Sequence, residues 1–542
     1  MTEKYPKGLF FLFATEMWER FSFYGISAVL VLYLTTRLGL PDKDAALASG
    51  AYMAFTFMSP ILGGFIADKL LGLRYSVSFG GVLILIGNLI LAWREELSYV
   101  FSGLACVALG TGYLKSTVSV MVGKLYAEGD SHRDSGYTLF YMGINVGALM
   151  AGVMMAWVAR NFGWHNCFYL SSGGMFLGLI AFQLGYPHYN NDADGFNSER
   201  LFGQGERIIN PELANNAADP DVLMPQAEQG RWSRQDADRQ VRRSPTEFIM
   251  RLPVLFRRVV GFSNIVWLIL GTLCLGALVV HMFSNPGQTK LFITYISIAI
   301  IVGIFLLAFF SKDKKERDSI FAILIIILAA ICFQSFFKQM YNSLTLFVDR
   351  DFNKVLFGVP LDASFFSLVP NSLAVIIFAG LFTWLWGKLA DRGLNPSIPM
   401  KIVFALCCAV ASSALLAWVA HGIAASGQKA SAWWIVLAIW ILTLGELNIL
   451  PMGLSAVSTL APKRYSSVLM GAWFLGTSLG GYFSGFLTSL ASVEKEKVDD
   501  IVYTATVYSG LYWKCSVVLG VAAVVMFITT PLMKKLMTGA GQ

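Results

Sequence analysis

The feature that most constrains the fold is a series of apolar stretches, each about 20 residues long or longer, which is enough to cross a bilayer as a helix. Only 14% of the 542 residues are charged and 56% are hydrophobic, which lies outside the range of soluble domains. The chain is therefore predicted to be an all-α integral membrane protein with fourteen spans. They lie near residues 8–36, 45–67, 75–93, 98–123, 137–159, 166–186, 260–283, 290–310, 318–347, 361–387, 398–420, 432–459, 467–490 and 508–533.

The distribution of basic residues predicts the orientation of the chain. An even number of spans places both termini on one side, where the short loops hold roughly seventeen Lys or Arg against about ten opposite. Cytoplasmic loops are enriched in these residues, so a multi-pass protein of the inner (cytoplasmic) membrane with both termini cytoplasmic is expected. The segment "MTEKYPKG" lacks a small-residue cleavage site, and the first helix is expected to remain as an uncleaved anchor.

Two loops indicate that the chain contains a duplicated half. "GGFIADKLLG" follows the second span and "WGKLADRGL" follows the tenth, and each places an acid directly before a base, Asp68 with Lys69 and Asp391 with Arg392. One such loop could arise by chance, whereas two at corresponding places favour a repeat. The predicted organisation is an N-terminal six-helix half (1–186), a polar cytoplasmic linker (187–258), an inserted helix pair (259–316) and a C-terminal six-helix half (317–542).

The charged residues inside the first span indicate a functional role. "ATEMWERFSFYG" contains Glu16, Glu19 and Arg20, and a charge within a membrane helix costs several kcal/mol. Glu16, Arg20 and Tyr24 share one helix face because they are spaced four residues apart. An arginine between two acids can stay ionised and still offer its guanidinium to a ligand carboxylate. A buried ion pair that only ties helices together is the alternative.

Three further spans carry ionisable groups, namely Lys115, Lys338 and Glu446. With a rise of about 1.5 Å per residue, Arg20, Lys115 and Glu446 lie within about two turns of their span centres, and Lys338 lies toward the outer side. These depths are compatible with one shared cavity.

Several of these segments resemble the proton-dependent oligopeptide transporters of the major facilitator superfamily. "EMWERFSFYG" resembles that family's E-x-x-E-R-F-x-Y-Y-G motif, and "FYMGINVGALM" resembles its fifth-helix signature. "GTGYLKSTVS" and "GELNILPMGLS" are similar to its fourth and tenth helices, and the inserted pair is similar to the extra helices of bacterial members. The resemblance implies a major facilitator fold, with two six-helix halves that rock around a midplane site.

The resemblance also implies roles for individual residues. Arg20 and Lys115 would face the C-terminal carboxylate of a peptide, and Glu446 would hold its ammonium group. Proton coupling would use Glu16, Glu19, Arg20 and Glu446, and Tyr24, Asn145, Asn371 and Trp473 would line the pocket. A zwitterion needs cations at one end and an anion at the other, in agreement with these assignments.

The implied function is a symporter, not an enzyme, that imports di- and tripeptides with protons by alternating access. The proton gradient would drive it without a cofactor. Its partners would be peptides, protons and the lipid bilayer, with no nucleic acid, and the protein is expected to be a monomer.

The sequence departs from the family pattern at several site positions. Phe23 and Phe57 stand where tyrosines are common, which removes two hydroxyl groups, and Ser116 and Ser372 replace prolines. Lys338 stands where many relatives have an acid, and Ser27 occupies the position of that acid's usual arginine partner. Lys338 either adds a positive charge to the pocket, which would favour acidic or neutral peptides, or extends outward to the membrane surface.

Other functions fit the sequence less well. A proton-coupled carrier of nitrate or another small anion would suit the added lysine, but Glu446 would repel such cargo. No G-x-x-x-x-G-K-[ST] motif is present, which argues against an ATP-driven pump. A channel would not need duplicated halves around a charged site, and no nucleophile with a paired base suggests an enzyme.

Overall fold

The computed structural model describes residues 5–126, 130, 132–189, 254–311, 313–462 and 464–538. Within these ranges the chain forms fourteen long α-helices and one helix of nine residues, α10. In chain order they are α1 (Lys7–Leu32), α2 (Asp42–Ile66), α3 (Leu73–Trp93), α4 (Leu97–Lys124), α5 (Arg133–Phe162), α6 (Trp164–Leu184), α7 (Val254–Ser284), α8 (Pro286–Phe310), α9 (Lys314–Phe337), α10 (Ser343–Asp351), α11 (Ala363–Asp391), α12 (Ile398–Ser426), α13 (Trp433–Leu460), α14 (Ser466–Ser489) and α15 (Ile501–Thr538).

The strands are only two residues long and follow α10 or precede α13. Strand β1 (Phe352–Asn353) pairs in parallel with β4 (Ala430–Ser431), and β2 (Val355–Leu356) pairs antiparallel with β3 (Val359–Pro360). They connect helices at one end of the bundle and contribute no layer of their own.

Twelve helical segments in the described ranges are long and apolar enough to cross a membrane, with α9 and α10 together forming one of them. The two remaining long helices are α1, which contains three buried charges, and α14, which is rich in glycine and serine. Helices suit this environment because the bilayer offers no partner for an open backbone hydrogen bond. The predicted all-α membrane fold is confirmed.

The helices form two bundles with a helix pair against their side. In the first bundle α1 packs on α5 and α6, and α3 packs on α4; in the second, α12 packs on α13 and α15. The inserted helix α7 contacts α4, while α8 contacts α2, α9 and α14. Of the predicted linker, residues 190–253 lie outside the described residues, and α7 begins at 254, four residues before the linker's predicted end.

We call the side of the bundle where α1 begins and α15 ends the terminal face, and the opposite side the distal face. The two repeated loops both lie at the terminal face, after α2 and α11. Each contains a glycine with positive φ, 75° at Gly72 and 69° at Gly393, a conformation that costs other residues energy. The backbone before these glycines differs, since a π-helix covers Ala67–Leu71 whereas α11 remains α-helical to Asp391.

The ninth predicted span is not one continuous helix. Helix α9 ends at Phe337, a 3₁₀ turn covers Lys338–Tyr341, and α10 begins at Ser343. Helix α14 stabilises the break: the side-chain amide of Gln339 donates to the main-chain carbonyl of Ser484 (3.1 Å), and the side-chain oxygen of Gln339 accepts from the Thr488 hydroxyl (2.8 Å). The predicted span over 318–347 lies within one membrane-crossing segment, Lys314–Asp351, but its interruption could not be predicted because these partners come from a distant part of the sequence.

The two halves touch mainly in their distal portions. A Cβ atom added to Gly50 of α2 would lie 2.9 Å from the Cα of Gly485 in α14, so both positions need glycine for this close approach. Helix α5 likewise meets α11 near its distal end, at Gly152. Toward the terminal face, a Cβ added to Gly380 or Gly387 of α11 would meet no atom within 4 Å, so no helix packs closely on α11 at these positions.

A buried ion pair joins the halves at the distal face. Arg350 of α10 binds both carboxylate oxygens of Asp42, the first residue of α2, at 2.6 and 2.7 Å. The Tyr508 hydroxyl of α15 contacts the same guanidinium (3.0 Å), and the Val493 amide donates to Asp42 (3.2 Å). Both charged side chains are less than one tenth exposed. This bidentate contact, which we call the distal latch, holds the distal side closed.

A second cluster at the distal face keeps α1 fixed within its own half. Glu95, in the loop between α3 and α4, accepts from Arg37 (2.6 Å) and contacts His165 at the start of α6 (2.7 Å). The hydrogen bond from Arg37 lowers the pKa of Glu95 below its ordinary value. These contacts bind three segments of one half together, as rigid-body motion of that half requires.

Candidate binding site

Helix α1 places three charges in the interior of the first half. Glu16, Glu19 and Arg20 are each at most 2% exposed. Arg20 binds Glu19 through two nitrogens, Nε and Nη2, with 2.7 Å between Nη2 and Oε1. Thr111 of α4 also donates to Glu19, at 3.2 Å. The carboxylate of Glu19 is therefore fully engaged, and Arg20 is held in place by it.

Glu16 is bound far less completely than its neighbour. Its Oε1 lies 3.4 Å from Arg20 Nε, while its Oε2 has no hydrogen-bond partner although it is buried. A buried carboxylate oxygen without a donor carries a large desolvation cost. Glu16 is thus the acid of this cluster that gains most from binding a proton or a water molecule.

Two lysines contact one aromatic ring. The ammonium of Lys115 lies 4.5 Å from the ring centre of Phe57, and that of Lys338 lies 4.8 Å from the same ring. Lys115 comes from α4 in the first half and Lys338 from the break after α9 in the second. Cation–π contact with Phe57 partly compensates both charges. Neither lysine forms an ion pair among those of the described residues.

Lys338 does not extend to the membrane surface in this structure. It is 5% exposed, and its ammonium also lies 5.7 Å from the ring of Phe337 and 5.5 Å from that of Tyr341. The break between α9 and α10 turns its stem inward, toward Phe57 in the other half. Of the two alternatives, the inward orientation is the one observed.

Glu446 of α13 is the acid of the second half. Asn371 of α11 donates to its Oε2 (2.8 Å), and the same amide group contacts Thr443 Oγ1 at 2.9 Å. Asn371 therefore fixes the carboxylate in position without neutralising it. The negative charge remains available to a cationic group.

Aromatic side chains connect the charged groups. Arg20 lies 5.0 Å from the ring centre of Phe23, and Phe23 meets Phe57 edge-on at 5.6 Å. Tyr24 stacks on Tyr341 across the two halves with 6.5 Å between ring centres. Phe23 and Phe57 thus pack against cations through their rings. The sequence pointed only to the hydroxyl groups that these residues lack relative to tyrosine, and so did not predict these contacts.

For two predicted pocket residues, the contacts seen are with neighbours in their own half. Asn145 donates to the Tyr141 carbonyl of its own helix at 3.3 Å. Trp473 is 4% exposed and packs against Gly453, where an added Cβ would lie 2.0 Å from the ring. Trp473 fills the contact between α13 and α14. Sequence reasoning missed Thr111, Thr443 and Tyr341, because ordinary polar residues within apolar helices give no signal of the partner that they meet.

Two helical bundles in contact on one side, with charges of both signs buried between them, define an α-helical membrane transporter of the major facilitator fold. The sequence profile described as "PTR2: POT family" matches residues 75–199 and 275–505. The chain belongs to this POT family.

Similar proteins agree with this assignment. The chain is 30% identical to a peptide transporter of Yersinia enterocolitica, covering 98% of this chain and 95% of that protein. It is 31% identical to a di-/tripeptide transporter of Lactococcus lactis, covering 91% and 90%.

Solved structures extend the agreement to the fold. A crystal structure of a POT peptide transporter in complex with sulfate matches with a TM-score of 0.75 and 27% identity, covering 98% of this chain and 96% of that chain. A mutant POT peptide transporter in complex with alafosfalin matches with a TM-score of 0.72 at the same identity and coverage.

Proposed function

We propose that the protein is a proton-coupled symporter that imports di- and tripeptides by alternating access. The observation that carries the proposal is that charges which a peptide could bind lie in both halves: the cations Arg20 and Lys115 in one, and the acid Glu446, fixed by Asn371, in the other. A peptide with a free carboxylate and a free ammonium can bridge these groups. The relatives named as peptide transporters support the same cargo.

The contacts between the halves support alternating access. The distal latch is closed, whereas toward the terminal face no helix packs closely on α11 at Gly380 and Gly387. With both termini in the cytoplasm, as the basic loops predict, this arrangement would be the state open to the cytoplasm. We further propose the division into halves 1–186 and 317–542, with an inserted pair at 259–316 and a cytoplasmic linker at 187–258.

Lys115 and Glu446 would form the second gate. No ion pair joins them among the described residues, in agreement with an open terminal side. We propose that they pair when this side closes, and that peptide or proton competes with the pair when it opens.

Uptake into liposomes tests the function directly. The purified protein should concentrate labelled Ala-Ala when the outside is more acidic, and an uncoupler should abolish the accumulation. Equal uptake with and without the proton gradient would contradict symport. Accumulation of nitrate that Ala-Ala does not inhibit would instead favour a small-anion carrier, the candidate that the three cations Arg20, Lys115 and Lys338 suggest.

The inward position of Lys338 predicts selectivity among peptide side chains. An acidic side chain would gain a charge-assisted contact with its ammonium, whereas a basic one would meet a like charge at low dielectric, costing a few kcal/mol. Ala-Glu and Ala-Ala should therefore compete against labelled Ala-Ala at least about tenfold better than Ala-Lys. In the Lys338→Glu variant the order should reverse.

Two further variants separate charge from shape at this position. Lys338→Arg keeps the positive charge and should keep the preference for Ala-Glu over Ala-Lys. Lys338→Met keeps most of the side-chain length but not the charge, and should abolish this preference. A parent protein that takes Ala-Lys as readily as Ala-Glu, or an unchanged ranking in Lys338→Glu, would show that Lys338 does not set selectivity.

The distal latch predicts which mutation favours the opposite state. Asp42→Asn leaves Arg350 buried without its anion, which costs about 3–5 kcal/mol in the state closed at the distal face. The state open at that face should then become populated. Spin labels at Glu96 and Lys497, both on the distal face, should report longer distances by electron–electron double resonance, in a background from which the seven native cysteines are removed.

A neighbouring ion pair provides the control. Asp349 and Lys354 lie at the same face and are 2.6 Å apart, but both are about one third exposed. Such a pair contributes about 0–1 kcal/mol, so Asp349→Asn should leave the distance distribution unchanged. Identical distributions for Asp42→Asn and the parent would contradict the role of the latch.

A further inference from the structure

A groove between the inserted helix α8 and helix α14 has no role in the proposed transport site. Its volume is about 820 Å³, and its lining is apolar except for the hydroxyl of Tyr465. Gly303 of α8 and Gly471 of α14 both line it, and a Cβ added to either would meet no atom within 4 Å. The groove is therefore open space and not a tightly packed helix contact.

The groove exists because α8 packs closely against α14 only near the distal face. Near the distal face Ile293 packs in one cluster with Ala54 of α2 and with Leu479 and Tyr482 of α14. Beyond Leu475, toward the terminal face, the helices separate. Separate apolar helices in a bilayer must have lipid between them, since water there would leave apolar surface hydrated.

The length of the groove matches one leaflet. It extends along α14 from Tyr465, the residue preceding the helix, to Leu475. Ten residues of helix rise about 15 Å, which is half of the hydrocarbon thickness of about 30 Å. Tyr465 lies at the end of the span, where tyrosine is typical of the membrane interface. A single acyl chain would reach from this interface to the bilayer centre.

Positive charge lies at the mouth of the groove. The guanidinium of Arg464 is 5.3 Å from the ring centre of Tyr465, and the side chain is exposed. On the other side α8 ends at Phe310, and the exposed Lys314 begins the next helix. Basic residues at the end of an apolar groove complement an anionic headgroup.

We propose that this groove binds one anionic phospholipid, with an acyl chain between α8 and α14 and its headgroup near Arg464. The acyl chain fills the space between the inserted helix α8 and helix α14. Helix α14 forms the contact between the halves through Gly485, so the bound lipid would support the conformation in which the terminal side is open.

Native mass spectrometry with defined lipids tests the site. Delipidated transporter in mild detergent is incubated with phosphatidylglycerol or with phosphatidylcholine of the same acyl chains. The parent should bind one phosphatidylglycerol more tightly than any further copy, and phosphatidylcholine about tenfold less tightly, as expected from one or two basic residues at about 1 kcal/mol each. In Arg464→Gln the preference for phosphatidylglycerol over phosphatidylcholine should fall, while the groove should still bind the acyl chain of either lipid.

Filling the groove with a larger side chain tests whether the acyl chain of the lipid lies there. Gly471→Leu places a side chain in space that is empty of protein, so the variant should fold. Its binding of phosphatidylglycerol should fall at least tenfold, which equals the loss of about two buried methylene groups. Gly303→Leu, on the opposite wall, should act alike and serves if Gly471→Leu is unstable. The control is Gly173→Leu on α6, where an added Cβ also meets nothing.

Three results would overturn the proposal. Gly471→Leu and Gly303→Leu could bind phosphatidylglycerol like the parent, which would place the lipid elsewhere. Equal binding of the two lipids by the parent would exclude the headgroup contact. A dimer in the parent that Gly471→Leu abolishes would identify the occupant as a second copy of the chain.

Discussion

Replacing Glu446 with Gln is expected to reduce proton-driven uptake of Ala-Ala by about 100-fold. The variant keeps the shape and one acceptor oxygen for Asn371 but loses the charge that would face the peptide ammonium. Removing one partner of a buried charge pair costs about 3 kcal/mol, or about two powers of ten. Initial rates of uptake into liposomes under an inward proton gradient measure the loss.

A blocked peptide shows whether the lost charge acted on the ammonium group. The parent should strongly prefer Ala-Ala to its N-acetylated form, and Glu446→Gln should not distinguish them. Glu494→Gln, at an exposed acid on the distal face, should behave like the parent. A Glu446→Gln variant that transports normally, or that still discriminates, would contradict the assignment.

The proposed gate formed by Lys115 and Glu446 can be tested by combining substitutions at both residues. Lys115→Ala and Glu446→Ala should each abolish driven uptake, and the double variant should be no worse than either single one if the two residues act as one gate.

The second large effect is expected at Glu19. Its carboxylate holds Arg20 through two nitrogens, so protonation of Glu19 or Glu16 would release Arg20 toward the peptide carboxylate. Glu19→Gln cannot change its charge with pH. The variant should lose concentrative, gradient-driven uptake while retaining exchange of labelled for unlabelled peptide across the liposome membrane.

Thr111→Val supplies a matched control for that experiment. It removes one hydrogen bond to Glu19 but leaves both charges, so it should weaken uptake by less than about tenfold, as expected for about 1 kcal/mol. If concentrative uptake persists in Glu19→Gln, Glu19 is not the coupling acid. Glu16, whose Oε2 has no hydrogen-bond partner, would then be the next residue to test.

The sequence was sufficient to predict the membrane fold and the depth of the charged residues. Most spans are apolar stretches of at least about 20 residues with few charges, so length and composition identify them, and a helical rise converts position along a span into an expected depth. Arg20 with its two acids could be recognised because spacing within one helix fixes their neighbours. Contacts within an element follow from its own sequence.

Contacts between elements could not be derived in this way. The apolar pattern continues through residues 318–347, and nothing local signals that Gln339 finds partners on α14 and allows the helix to break. The close packing of Trp473 on Gly453 likewise could not be foreseen, because the two residues lie on different helices. The ring of Phe57 was noted only for its missing hydroxyl, since its two lysines come from helices more than 200 residues apart.

Phe57 has a consequence for how cargo enters. If Lys115 and Lys338 were each neutralised by a carboxylate, an arriving anion would have to break a buried salt bridge worth about 3–5 kcal/mol. A cation–π contact is worth about 0.5–2 kcal/mol. The ring therefore stabilises the two ammonium groups only weakly, and in the proposed transport cycle a peptide carboxylate would displace it at little cost.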